Sequence, residues 1–293
     1  MPTTTQGFFD TRTETVSYVV WDHATRRAAV IDPVLDYDHK SGHTASTSVD
    51  QVLGYLAAQR LGVDWILETH VHADHLSGAR YLQQRVGGQI AIGEHIRTVQ
   101  ATFKTLYNLG RGFLPDGSQF GHLFKDDEVF AIGETQATAC WVPGHTPADM
   151  AYRIDGAVFV GDTLFMPDVG SARADFPGGD AAQLYRSMRR LLALPPETTV
   201  YVCHDYPPEG RAPRWQTTVA EQRAHNIHVR DGITEAEFVA MRNARDATLD
   251  VPTLILPSLQ VNVRAGELPP PDDNGVSYLR IPINLLPVHP PAG

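Results

Sequence analysis

Apolar residues along this chain fall into short runs rich in β-branched side chains, and between them apolar positions recur at helical spacing. TVSYVVWD (15–22) and RAAVIDPV (27–34), separated by a polar turn, predict two strands. In SVDQVLGYLAAQRLG (48–62), Val49, Val52, Leu53 and Leu56 share one helical face, with Ser46 or Ser48 as cap and Gly62 as stop. VDWILET (63–69) reads as a buried strand. The order then repeats: a helix in LSGARYLQQRVGG (76–88), a strand in QIAIG (89–93), and a helix in HIRTVQATFKTLYNLG (95–110) with Ile96, Val99, Phe103 and Leu106 on one face. EVFAIG (128–133), TQATACWVPG (135–144), MAYRIDG (150–156) and AVFVGD (157–162) predict strands. AAQLYRSMRRLLAL (181–194) predicts a helix capped by Asp180 and stopped by Pro195 and Pro196, and TTVYVC (198–203) another strand. TLILPSLQVNV (253–263) reads as a last strand. A Pro-rich irregular tail follows from about residue 265, through ELPPPDDNG (267–275) and PVHPPAG (287–293), and either wraps over the body or joins a subunit contact. There is no internal repeat. Strands in clusters with helices between them predict one α/β domain over 1–293, two sheets packed together and covered by helices.

The chemistry sits where strands stop. WILETH ends in His70, CWVPGH in His145, VFVGD in Asp162 and VYVCH in His204. Binding groups are commonly carried on such strand-end loops of a rigid frame. The first of these ends opens into ETHVHADHLSGA (68–79), which adds His72, Asp74 and His75. Imidazole and carboxylate donors suit Zn, Fe or Mn. Gly144 before His145, and Gly161 before Asp162, let the backbone crowd the site. His23, His39, His43, His95, His122, His225, His228 and His289 have no such setting and are expected to be structural.

Composition narrows the picture only a little. The chain has 293 residues, 42% of them hydrophobic, and a formal net charge of -10, which disfavours a nucleic-acid partner. No apolar run reaches the length of a membrane span, and the first 15 residues resemble neither a signal nor a transit peptide. Two cysteines, Cys140 and Cys203, are expected to be buried free thiols, in keeping with a cytoplasmic location.

THVHADH, PGHTP, FVGDTLF and CHDY together resemble the metallo-β-lactamase superfamily, over roughly residues 15–260. That resemblance implies an αββα sandwich with a metal at one edge of its sheets. THVHADHLSGA (69–79) with ARADFPGGDAAQLYRSM (172–188) and HDY (204–206) resembles the persulfide dioxygenases, and GDTLFMPDVGSARADF (161–176) with SLQVNVRAGELP (258–269) is closest to bacterial β-lactamase hydrolase-like dioxygenases. Such enzymes oxidise glutathione persulfide, or a similar small persulfide, with O2 and water to sulfite and the thiol, in sulfide detoxification. The resemblance implies one Fe(II) per chain held by His70, His145 and Asp162, with His72, Asp74, His75 and His204 around it. It implies catalytic roles for Tyr206, and for Arg173 oriented by Asp175, where a structural ion pair is the other reading. A homodimer is implied as well. Asp149 stands where the family often has Cys. For an anionic substrate, Arg111, Arg173, Arg223 and Arg264 are the cationic candidates.

The residues themselves leave a second reaction open. His70, His72, His145, Asp74, His75 and His204, with Asp162 as bridge, are also the complete set for a dinuclear hydrolase of a thioester or lactone, using Zn(II) pairs about 3.5 Å apart. Thioester hydrolases of the glyoxalase II kind carry a helical C-terminal domain and lack the ARADF segment, whereas this chain is expected to end in strand and tail. A non-enzymatic metal- or persulfide-binding module is a third reading, disfavoured because a purely structural metal site is normally closed by protein ligands.

Overall fold

The computed structural model describes residues 3–285; His289 and the PVHPPAG stretch lie outside the described residues. One sheet runs in the order β1 (Thr3–Asp10), β2 (Thr15–Asp22), β3 (Arg27–Ile31), β6 (Gly62–Leu67), β8 (Gln89–Gly93), β9 (His122–Phe124), antiparallel at its β1–β3 end and parallel beyond. The second runs β10 (Glu128–Ile132), β11 (Thr135–Trp141), β12 (Met150–Ile154), β13 (Ala157–Phe159), β14 (Thr199–Tyr201), β15 (Gln216–Thr218), with only the β13–β14 pair parallel. A small third sheet joins β5 (His43–Ala45), β4 (Val34–Asp38) and β7 (Leu76–Ser77).

Strand alternation explains the layering. On β2, Val16, Tyr18 and Val20 point to the second sheet and meet a core that includes Phe130, Ile132, Tyr152 and Phe159. Val19 points the other way, into a core shared with α1 (Thr47–Ala58), α2 (Ala79–Val86) and α3 (Ile96–Leu106). The outer face of the second sheet is covered by α4 (Ala181–Leu191), α5 (Val219–His225) and α6 (Glu235–Asp246). Helix, sheet, sheet, helix is the αββα sandwich that the motifs implied. Strands buried on both faces lose their polar alternation, which is why β2 and β3 read as near-continuous apolar runs.

Several elements depart from expectation. β1, β5, β9 and β15 were not anticipated, nor were α5 and α6, and β4 and β7 fall where the end of one strand (27–34) and the start of a helix (76–88) were expected. Both of these helices begin with reciprocal capping boxes, Thr218 with Glu221 and Thr234 with Glu237, a signal present in the sequence. TLILPSLQVNV is not a strand: Ile255–Asn262 forms the helix α7, in which nearly every side chain is buried. A short apolar run does not distinguish a buried strand from a buried helix. Pro257 is tolerated because it falls in the first turn, where backbone N–H groups lack helical partners anyway. The chain therefore does carry helices after its last sheet strand, and the contrast drawn with helical C-terminal domains falls. Cys140 and Cys203 are buried and free. No helix among the described residues is long and apolar enough to cross a membrane.

One glycine fixes the approach of a site loop to the scaffold. Gly144 has φ +146°, and a Cβ there would lie 2.3 Å from the Leu184 Cα on α4. Gly144→Ala is expected to cost at least ~2 kcal/mol, from strain and overpacking together, measured as a shift in the denaturant midpoint.

Candidate metal centre

Four strands from both sheets end at the same edge of the sandwich. β6 delivers the 68–75 loop, β11 the 142–149 turn, β13 Asp162 and β14 His204. The donor atoms of His70, His145 and Asp162 all lie within 4.8 Å of one another, as do those of His72, Asp74 and His75. Asp162 links the first set to His204: Oδ2 is 3.9 Å from His70 Nε2 and 3.6 Å from His145 Nε2, and Oδ1 is 3.4 Å from His204 Nε2. His204 Nε2 is also 3.5 Å from Asp74 Oδ2.

These residues fit a metal by a test of their own. His70 Nε2, His72 Nδ1, His75 Nε2, His204 Nε2 and Asp162 Oδ1 are buried with no hydrogen-bond partner. Orphaned buried polar atoms are costly, and a cation repays the cost of this whole group at once. Burial, aided by neighbouring imidazoles, pushes His70 and His72 well below the ordinary imidazole range. The rings therefore stay neutral, the form that coordinates.

The far nitrogens decide which lone pair faces the centre. His145 Nδ1 donates to the Arg173 carbonyl at 2.8 Å, and His204 Nδ1 to the Glu14 carbonyl at 3.2 Å. His70 Nδ1 meets the Thr69 hydroxyl at 3.0 Å, and His75 Nδ1 the Asp74 carboxylate at 2.9 Å. In each ring the Nδ1 proton is held away from the centre, which leaves Nε2 as the nitrogen for a metal. Against its burial, the Asp162 and Asp74 carboxylates raise His204 above the ordinary imidazole range, so a cation there would displace a proton. His72 is reversed. Its Nε2 lies 3.0 Å from Asp32 Oδ1 and 3.7 Å from Glu68 Oε2, at ion-pair distance but without hydrogen-bond geometry, and Nδ1 has no hydrogen-bond partner.

Sequence reasoning missed three supports. Asp32 accepts from the Thr69 N–H at 2.7 Å and its hydroxyl at 2.8 Å, bracing the start of the loop. It follows the last residue of β3, Ile31, but the expected strand ran on to Val34 and hid it from the strand-end rule. Glu68 is buried beside His72, and burial together with the Asp32 charge raises its carboxyl well above the usual range. Asn262, on α7, donates to the His72 and His75 carbonyls and accepts from the Ser77 N–H, each at 2.8 Å. No local pattern marks Asn262, because its partners lie far back in the chain.

The centre opens into a cleft of about 870 Å³ with Asp74, His145 and Asp162 among its lining residues. Tyr206 stands in its wall, 41% exposed, its ring parallel to His204 at 5.6 Å and edge-on to Phe165. Arg173 also lines the cleft, but its guanidinium is engaged: it grips both oxygens of Asp175 at 2.6 and 2.7 Å and donates to the Asp250 carbonyl at 2.7 Å. Arg111, Arg223 and Arg264 do not line it. Arg223 pairs with Asp231, and Arg264 lies over the Phe113 ring. Arg12, Arg242 and Arg245 line it instead. Asp149 is buried and accepts from both the N–H and the hydroxyl of Thr146, fixing the turn that presents His145. Among the histidines read as structural, His39 reaches the cleft wall and the others within the described residues do not. His228 is buried behind the cleft, where its Nδ1 accepts from the Ser171 N–H at 3.1 Å.

Comparison with known proteins agrees with this geometry. The family model of the metallo-beta-lactamase superfamily matches residues 10–204, and the chain belongs to that superfamily. A probable metallo-hydrolase of Burkholderia pseudomallei is 55% identical, over 97% of this chain and 100% of its own. Glyoxylase B2 of Dictyostelium discoideum is 51% identical, over 95% of this chain and 96% of its own. The mitochondrial persulfide dioxygenase ETHE1 of Mus musculus is 28% identical, over 92% of this chain and 91% of its own. The crystal structure of ETHE1 from Myxococcus xanthus superposes with a TM-score of 0.72 at 29% identity, covering 90% of this chain and 100% of that one.

Two outcomes follow from the supports. Asn262→Ala leaves buried loop groups unpaired and is expected to cost roughly 3 kcal/mol in denaturant unfolding. Burial, with Arg242 and Arg245 nearby, holds His228 down to about 4. A ring kept neutral in the folded state and ordinary when unfolded makes stability fall as pH drops through its unfolded value toward 4. His228→Gln should flatten that acid limb relative to wild type, read from unfolding midpoints across pH 7 to about 4.

Proposed function

We propose that this chain is a persulfide dioxygenase using one Fe(II), which oxidises glutathione persulfide or a similar small persulfide with O2 and water to sulfite and thiol. The observation that carries this reading is the convergence of two imidazoles and one carboxylate, His70, His145 and Asp162, at the base of an open cleft. Two histidines and a carboxylate with open positions are the donor set of non-haem iron oxygenases. When bound there, ferrous iron supplies the redox chemistry between a sulfur anion and O2. Similarity to the mouse persulfide dioxygenase over nearly the whole chain supports the same reading.

The chain's own residues set the conditions. The cleft volume suits a ligand of tripeptide size. Tyr206 lines the cleft, and its phenol hydroxyl, protonated at neutral pH, can donate to a bound anion. Arg173, with its guanidinium tied to Asp175, serves through its carbonyl, which orients His145. Burial of the donors keeps bulk water from competing for them.

A specific observation also favours a hydrolase with two metals. His72 Nδ1, His75 Nε2 and His204 Nε2 are as free of partners as His70 Nε2, so a second ion has donors waiting. The relatives named metallo-hydrolase and glyoxylase point the same way.

Elemental analysis of protein purified without added metal, with an oxygen-electrode trace on glutathione persulfide, separates the two. One iron per chain and oxygen uptake are expected. Two zinc ions per chain without oxygen uptake would overturn the dioxygenase. In the one-metal reading, His145→Ala abolishes uptake, whereas His72→Ala lowers it only about tenfold, as loss of a supporting partner does. Equal losses would favour the hydrolase.

A further inference from the structure

Beyond the residues matched by the family model, α6 buries a pair of opposite charges against the cleft, whose lining includes Arg242. Arg242 and Asp246 are 1% and 4% exposed, and Arg242 Nε donates to Asp246 Oδ1 at 2.8 Å. Desolvating two charges costs several kcal/mol each, and well-packed apolar residues often replace such a pair without loss. Stability alone therefore does not account for it.

The pair's remaining polar atoms point to one short stretch. Arg242 Nη1 donates to the Ser171 carbonyl at 3.3 Å, and Asp246 Oδ2 accepts from the Ala174 N–H at 2.9 Å. Between these two grips stands Arg173, whose carbonyl accepts the His145 Nδ1 proton at 2.8 Å. A third contact pins the same stretch: His228 Nδ1 accepts from the Ser171 N–H at 3.1 Å. Gly170 makes room for that ring, since a Cβ there would lie 2.2 Å from His228 Nδ1.

We propose that Arg242 and Asp246 are positioning residues for the metal centre: by clamping 171–174 at both ends they fix the Arg173 carbonyl, and so the tautomer and tilt of His145. The inference rests on His145 being a metal ligand, and it holds for either reaction. A carbonyl free to drift would let the ring turn about its side-chain bonds, and Nε2 would leave the line toward Asp162.

The test loads the full-length protein with zinc, adds excess chelator, and follows zinc release alongside the thermal midpoint. Asp246→Asn is expected to release zinc about tenfold faster than wild type, the effect typical of a lost ligand-orienting partner. Phe238→Leu is the control. Phe238 is buried on the same helix but packs into the outer core and makes none of the clamp's hydrogen bonds. It should lower the midpoint and leave release at the wild-type rate. Arg242→Lys, which keeps the charge but changes the grip on Ser171, should fall between wild type and Asp246→Asn, and serves if the latter does not fold. Release from Asp246→Asn, or from Arg242→Lys in its place, no faster than from Phe238→Leu overturns the clamp and leaves the centre standing. A wild type that retains no zinc overturns both.

Discussion

An imidazole can hold a cation only from the nitrogen that lacks a proton, and the rest of this centre is arranged around that limit. Burial keeps His70 and His72 neutral, but neutrality alone does not say which nitrogen is bare. The acceptors on the far side decide it. The Glu14 and Arg173 carbonyls can only accept, so His204 and His145 must each carry the proton on Nδ1. The cluster is therefore set for a metal before any metal arrives.

That arrangement draws on the whole molecule. The acceptors come from the β1–β2 turn, from the loop after β6 and from the 170–175 stretch. Two helices from the last part of the chain reach back to hold them: α7 through Asn262 on the loop after β6, and α6 through Arg242 and Asp246 on the stretch that carries Arg173. A buried polar network of this kind is rigid only when every member is satisfied. Loss of one support is therefore felt at the centre even when the donors themselves are untouched.

The same donors are compatible with two chemistries. In the proposed one-metal reading a cation at His70, His145 and Asp162 leaves an open face, whereas a second cation on the partnerless nitrogens of His72, His75 and His204 would favour water activation. One fold hosts both kinds of enzyme, since reaction is set by occupancy and by the cleft rather than by the sandwich.

Most of the sheet strands and the helices α1 to α4 were legible from periodicity, because burial on one helical face or on a strand leaves its mark in neighbouring residues. So was the donor set, since His70, His145, Asp162 and His204 each end a strand and therefore share an edge. The C-terminal helix α7 was misread as a strand. Burial on all sides erases periodicity, and an apolar run then says only that it is inside. The sequence by itself determined which atoms could bind a metal and which superfamily they belong to. Only the tertiary structure decided which nitrogen His145 and His204 present, that the Arg173 guanidinium is also held by the Asp250 carbonyl, and that Asn262 and the Arg242–Asp246 pair stand behind the centre. Those facts depend on hydrogen bonds between residues distant in the chain, and such pairs have no local signature for a sequence to display.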